Sequence, residues 1–270
     1  MPANAVGSAA RRSDRWAGRR AEAIVGAFMR SPAVVLRYFA VCGRAQALRH
    51  ALADSGIHFE DLRLPLADWA AHRIDPAFSG SQRALPTLSW GEAFVAETLP
   101  ISTFLAKRLG HYQGLDDVAV AGCEAIVSSV YMDLMLRLVE VIRADLLHPG
   151  ADPVRSLAIA LPRVLQKFVT LDAGLTGAAF IGGDHPTMPD FFVGEAIEAL
   201  RYVLGPRHEA WLESTLPHLH VLAARLRARP ALADSWRGRP PSFTARPDEA
   251  QVVARLRAAP DVDRAMGQSR

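Results

Sequence analysis

An apolar, β-branched run, Val34-Val35-Leu36-Arg37-Tyr38-Phe39, breaks at Gly43-Arg44 into a segment whose apolar residues Ala45, Leu48 and Leu52 repeat at helical spacing. No other stretch limits the fold as much, because it hands a strand directly to a helix. It also leaves a phenol, Tyr38, at the carboxyl end of the strand, beside a helix amino terminus. In α/β folds ligands collect at that place: side chains at strand ends project into a crevice, and the unpaired N–H groups of the helix favour an anion.

The chain downstream extends the pattern. Gly56 ends the helix, and residues 57–64 alternate as a second strand does. Residues 65–83 are mixed and polar around Trp69, which predicts an irregular helix and a loop. Residues 85–90 and 93–96, joined across Gly91-Glu92, read as a hairpin, and a helix over 98–109 stops at Gly110. The order βαβ then ββα is that of a thioredoxin-like domain over 34–111. Over 115–240 the signals are helical. One long helix is expected over 117–147, its apolar positions Ala121, Ala125, Ser128, Met132, Met135 and Val139 recurring on one face. A second over 153–171 should kink or start late at Pro162. Thr187-Met188-Pro189-Asp190 has the form of a capping box before a helix over 191–204, and shorter helices follow over 207–213 and 218–229. The expected fold class is an α/β domain followed by an all-α domain. Residues 241–270 show no core-like pattern beyond 250–256 and read as an appended tail.

Charge narrows the partners. The net +3 conceals an uneven distribution: residues 1–33 hold six arginines against Asp14 and Glu22, so the remainder is about neutral. A neutral, dispersed surface argues against a nucleic-acid-binding face, which needs clustered Lys and Arg. The basic segment 1–33 reads as a disordered extension, with an organelle-targeting peptide or an amphipathic arm as alternatives. No uninterrupted apolar run of about 18 residues is present, so no membrane span is expected. Two cysteines, Cys42 and Cys123, are too few for a disulfide scaffold and suit a reducing, cytoplasmic compartment. The histidines show no metal-ligand spacing, and no phosphate loop, serine nucleophile elbow or Cys-x-x-Cys motif occurs.

The spacing Tyr38-Phe39-x-x-x-Gly43-Arg44-Ala45, followed by Trp69, Leu85-Pro86, Glu97-Thr98 and the Thr187–Asp190 box, resembles the glutathione transferase family. The sigma-like branch, which contains glutathione-dependent prostaglandin D synthases, is most similar. The resemblance spans roughly 34–240 and implies a thioredoxin-like glutathione-binding domain, a helical domain holding the electrophile, and a homodimer. It implies that Tyr38 donates a hydrogen bond to the glutathione thiolate while Arg44 orders the sulfur's surroundings. A hydrogen bond to an anion, worth roughly 1.5–3 kcal/mol, lowers a thiol pKa by about one to two units. Cys42 offers an alternative, a thiol catalyst as in omega-like relatives, although those carry the cysteine near the tyrosine's own position.

The same resemblance implies that Leu85-Pro86 is cis and presents the Leu85 backbone to the cysteinyl unit, and that Thr98 and Glu97 receive the γ-glutamyl carboxylate and ammonium. Trp69 and Arg73 would hold the glycyl carboxylate, with His72 an alternative to Arg73. The sequence departs from the family at Ala84, where relatives have a polar residue, so one glutathione contact is expected to be missing. The electrophile pocket is expected from Phe39, Gly43, Tyr131, Met132 and Met135, with Leu134 and Leu138 nearby. Glu124 and Ser128 would face the partner subunit. Since Ser128 is not acidic, no metal is expected there. The implied activity is attack of glutathione on a small hydrophobic electrophile. A glutathione-dependent isomerase and a non-catalytic carrier or structural member are the alternatives.

Overall fold

The computed structural model describes residues 34–175 and 178–267; the basic segment 1–33 lies outside the described residues. Strand β1 (Val34–Phe39) is central. It pairs in parallel with β2 (Glu60–Leu64) and antiparallel with β3 (Thr87–Trp90), which pairs in turn with β4 (Ala93–Ala96), giving the order β2-β1-β3-β4. Helix α1 (Gln46–Asp54) makes the crossover between β1 and β2, and α2 (Thr98–Arg108) follows the hairpin. Along β1 burial alternates: Val34, Leu36 and Tyr38 are buried on one face, while Val35, Arg37 and Phe39 are half-buried on the other. Leu36 and Leu88 of the sheet pack with Leu48 and Leu52 of α1 and with Ile101 and Leu105 of α2.

Where one helix is expected over 117–147, the chain forms α3 (Asp117–Ser129), a π-helical segment (Val130–Met135) and α4 (Leu136–Ile142). The wider turn changes the phase of the buried stripe. Val127, Tyr131, Leu134, Met135 and Leu138 point inward, whereas Ala121, Ala125 and Met132 are exposed. The expected face is therefore wrong up to Met132. Helix α5 (Pro153–Gly174) runs unbroken through Pro162, contrary to the expected interruption. Pro162 is on the exposed side of the helix, while Leu157, Leu161, Val164 and Phe168 hold the opposite side to the core.

Helix α6 (Met188–Leu204) is the axis of the helical half and packs against α1 of the sheet half. Beyond it lie α7 (Glu209–Thr215), α8 (Pro217–Ala228) and α9 (Ala233–Arg237). The stretch expected as a tail is instead built into the protein: α10 (Glu249–Ala258) and α11 (Pro260–Ala265) bury Val252, Val253, Leu256, Val262 and Met266 in the same core. Its apolar residues recur too sparsely to mark a core helix in sequence, yet they meet α6 and α5. Among the described residues no helix is long and apolar enough to cross a membrane.

Charged contacts join the two halves. Glu195 on α6 accepts from His50 on α1 at 3.0 Å and from Arg239. Burial alone would raise its pKa; the guanidinium of Arg239 and the ring of His50 hold it down, to about 2. Arg229 clasps Asp54 at the end of α1 through bonds of 2.5 and 2.9 Å. The start of α6 is fixed by the capping box: the Asp190 carboxylate accepts from Thr187 N–H (2.8 Å), Thr187 hydroxyl (2.9 Å) and Ile181 N–H (2.7 Å), all at a buried site. Replacing Asp190 with Ala strands these donors and is expected to lower stability by about 2–4 kcal/mol in urea unfolding; a loss below about 1 kcal/mol would show that the box does not fix this helix.

Candidate active site

Tyr38 reaches past the end of β1 into a cleft of about 490 Å³ between the sheet and the π-helical turn. The turn that follows is shaped around its hydroxyl. Gly43 adopts φ +39°, and a Cβ there would lie 2.5 Å from the Tyr38 oxygen, so no other residue permits this approach. The N–H of Arg44 donates to that oxygen at 3.1 Å. The phenol's own proton is thus left to donate into the cleft. Burial pushes the Tyr38 pKa above its ordinary value, against the opposing pull of the Arg44 N–H, so at neutral pH the group is a neutral donor and not a base.

On the sheet side the cleft is lined by Phe39, Trp69, Arg83, Ala84 and Leu85. The Leu85–Pro86 peptide is cis, and among the described residues no backbone hydrogen bond engages Leu85. Phe39 meets the Trp69 ring edge-on with centroids 5.6 Å apart. Arg73 is exposed and does not line the cleft; its carbonyl accepts from Ser79 in the neighbouring loop. Four arginines line the cleft, Arg44, Arg83, Arg143 and Arg246; the one on the sheet side is Arg83, which precedes Ala84-Leu85 and has φ 49°. Sequence reasoning missed Arg83 because it fixed the cation by spacing from Trp69; its nearness to Leu85-Pro86 was the available signal.

Glu97 and Thr98 stand at the start of α2. Glu97 holds a left-handed backbone, φ 73°, pinned by its N–H donating to the Pro86 carbonyl at 3.0 Å. Its carboxylate faces Arg44 across 3.9 Å. No side chain caps α2. The Thr98 hydroxyl is buried beside the open helix terminus, with the Tyr131 hydroxyl as a polar side-chain neighbour.

The helical side supplies Tyr131, Met135, Leu136 and Val139. Burial raises the Tyr131 pKa as well. Met132, expected in this wall, is 50% exposed and does not line the cleft; it continues the stripe of Ala121 and Ala125, which already faces outward ahead of the π turn. Leu134 and Leu138 are core residues that stay behind the wall. A further wall was not foreseen: residues 243–247 cross the cleft, contributed by the segment read as a tail. Cys42 turns inward, its thiol donating to the Pro240 carbonyl at 3.2 Å, and burial pushes its pKa up to about 12. Glu124, expected at a subunit face, accepts from Thr103 and Tyr112. Among the described residues no group of three or more His, Cys, Asp or Glu side chains could hold a metal.

No family model matches the chain. Among curated proteins it is similar to glutathione S-transferase P of Bos taurus, 29% identical over 202 residues that cover 74% of this chain and 90% of that protein. It is also similar to hematopoietic prostaglandin D synthase of Gallus gallus, 28% identical over 205 residues, 76% of this chain and 95% of the relative. Among solved structures, monomeric Na-GST-3, a glutathione S-transferase from Necator americanus, superposes with a TM-score of 0.64 at 21% identity, covering 78% of this chain and 99% of that one. In sequence over most of their length, and in fold, this chain resembles the glutathione S-transferases.

Proposed function

We propose that this protein is a glutathione transferase in which Tyr38 stabilises the thiolate of glutathione for attack on a small hydrophobic electrophile. The observation that carries this reading is the Tyr38 hydroxyl: it accepts from the Arg44 N–H, keeps its proton by burial, and opens into a cleft lined by apolar and aromatic side chains together with several arginines. A free thiol is only a few per cent ionised at neutral pH, and a buried neutral donor favours its anion without taking the proton, which passes to solvent. The sulfur lone pair then forms the S–C bond, and the leaving group departs with its bonding electrons.

The residues present fit the tripeptide. Thr98 and the open N-terminus of α2 suit the γ-glutamyl carboxylate, since the uncapped N–H groups and the buried hydroxyl offer it donors. Glu97 suits the ammonium. The Leu85 backbone suits strand-like pairing with the cysteinyl unit. Trp69 N–H and the Arg83 fork suit the glycyl carboxylate, with Arg83 in the place first given to Arg73. Phe39, Gly43, Tyr131 and Met135 form the electrophile side. A homodimer fits the outward apolar face of α3, where Val118 is 81% exposed, together with Met132 and the half-exposed Phe94 on β4. Two free cysteines fit a reducing, cytoplasmic setting.

Similarity to a prostaglandin D synthase favours a second reading: the same thiolate opens and re-forms a bond in the substrate, leaving glutathione unconsumed. Product analysis separates the two, because the activated group is identical.

Two outcomes follow from this chemistry. Tyr38→Phe should lower kcat/KM for a general arylating electrophile about 10- to 100-fold with glutathione binding, measured by calorimetry, preserved; an unchanged rate would remove the tyrosine from the mechanism. Cys42 should stay unlabelled by iodoacetamide at neutral pH in the native protein, as mapped by peptide mass spectrometry; rapid labelling there would instead favour the thiol catalyst.

A further inference from the structure

The segment that carries Phe243 to Pro247 across the cleft is anchored on both flanks and at Phe243, Thr244 and Arg246 within it. Ahead of it, the Gly238 carbonyl accepts from Arg63 at 2.6 Å, and Arg239 enters the ion pair with buried Glu195. The Pro240 carbonyl accepts from the Cys42 thiol, and the Ser242 carbonyl from the Cys42 N–H at 2.9 Å, next to the turn that shapes the Tyr38 site. The N–H groups of Phe243 and Thr244 both donate at 2.7 Å to the buried carboxylate of Glu249, which also accepts from the Thr244 and Tyr202 hydroxyls.

Arg246 closes the other end. Its Nε and one terminal nitrogen donate to Asp248 at 2.6 and 2.9 Å. Both terminal nitrogens donate to Asp145, and one also reaches the Ile142 carbonyl at 3.0 Å. These contacts engage all five N–H donors of the guanidinium. Arg246 therefore has no donor to offer a substrate. Ile142 ends α4, the helix whose Leu136 and Val139 form the facing wall, and Asp145 lies in the short helical turn Ala144–Leu147 just beyond it. The strap thus spans the cleft from the Tyr38 turn at one end to the end of α4 at the other, and its width is set by bonds at both ends.

We infer that residues 240–249 are a rigid wall of the electrophile half of the cleft, that this wall restricts the site to compact electrophiles, and that Arg246 is its positioning residue. The inference rests on the transferase reading. A segment tied by several bonds at once, among them those to buried Glu249, Cys42 and Glu195, opens rarely, unlike a surface loop with solvated backbone. A wall of that kind excludes added volume by steric overlap, and a single extra group in an apolar pocket changes discrimination by about 10- to 200-fold.

The test compares two reagents with the same reacting carbon and leaving group, 1-chloro-2,4-dinitrobenzene and the larger 1-chloro-2,4-dinitronaphthalene, each normalised to its uncatalysed reaction with glutathione. Arg246→Ala should raise the ratio of kcat/KM for the larger over the smaller reagent by about tenfold or more, leave KM for glutathione little changed, and be partly reversed in Arg246→Lys. In the parent chain, hydrogen exchange at the Phe243 and Thr244 amides should be slow. Exchange at open-loop rates overturns the wall whatever the activity, and needs no variant. A folded Arg246→Ala with an unchanged ratio overturns its role in selection. Failure of the parent chain to conjugate either reagent overturns the transferase reading itself.

Discussion

The approach of the Gly43-Arg44 turn to the phenol of Tyr38 governs the geometry of the site. Only a residue without a Cβ can pass within this distance of the hydroxyl, and only the left-handed backbone of Gly43 then aims the next N–H at the phenol oxygen. The strand positions the ring by simple alternation, since Tyr38 follows Val34 and Leu36 on the core face and is the last of that series in the strand. Chemistry at the hydroxyl is thereby set by the backbone. One hydrogen bond is accepted from a fixed donor, and the remaining proton is directed into the cleft.

A second constraint acts through the C-terminal segment. A chain that ended near α9 would leave Cys42, Glu195 and the end of α4 without the partners they have here. The strap supplies those partners and takes part in the cleft at the same time, so stability and site shape share the same residues. Glu195 illustrates the economy of the arrangement: one buried carboxylate on α6 holds both His50 of the sheet half and Arg239 of the strap. Breaking either contact leaves a buried charge with less compensation, which is why such networks persist once formed.

Much of this was legible in the sequence, for identifiable reasons. Strand β1, the turn at Gly43 and the capping box at Asp190 are local patterns, in which periodicity and residue type decide the outcome before any tertiary contact forms. The failures are non-local. Met132 lies outside the cleft because the apolar repeat through Ala121, Ala125 and Met132 faces outward, while the neighbouring stripe of Val127, Tyr131, Leu134 and Leu138 is the buried one, and helical spacing alone fits both. Arg83 displaced Arg73 at the cleft because the loop between Trp69 and Leu85 has no periodic signal from which to count. Residues 241–267 looked like a tail because their anchors are polar: Arg246 and Glu249 read as surface charges until Asp145, Asp248 and the Phe243 and Thr244 N–H groups surround them.

The central claim is that Tyr38 stabilises a thiolate, and titration of bound glutathione addresses it directly. Ultraviolet absorbance of the thiolate, followed against pH in the saturated complex, gives the thiol pKa in the parent chain and in Tyr38→Phe. The account predicts a value about one to two units below that of a free thiol in the parent, and loss of most of that depression in the variant. An equal pKa in the two proteins, depressed or not, would contradict it.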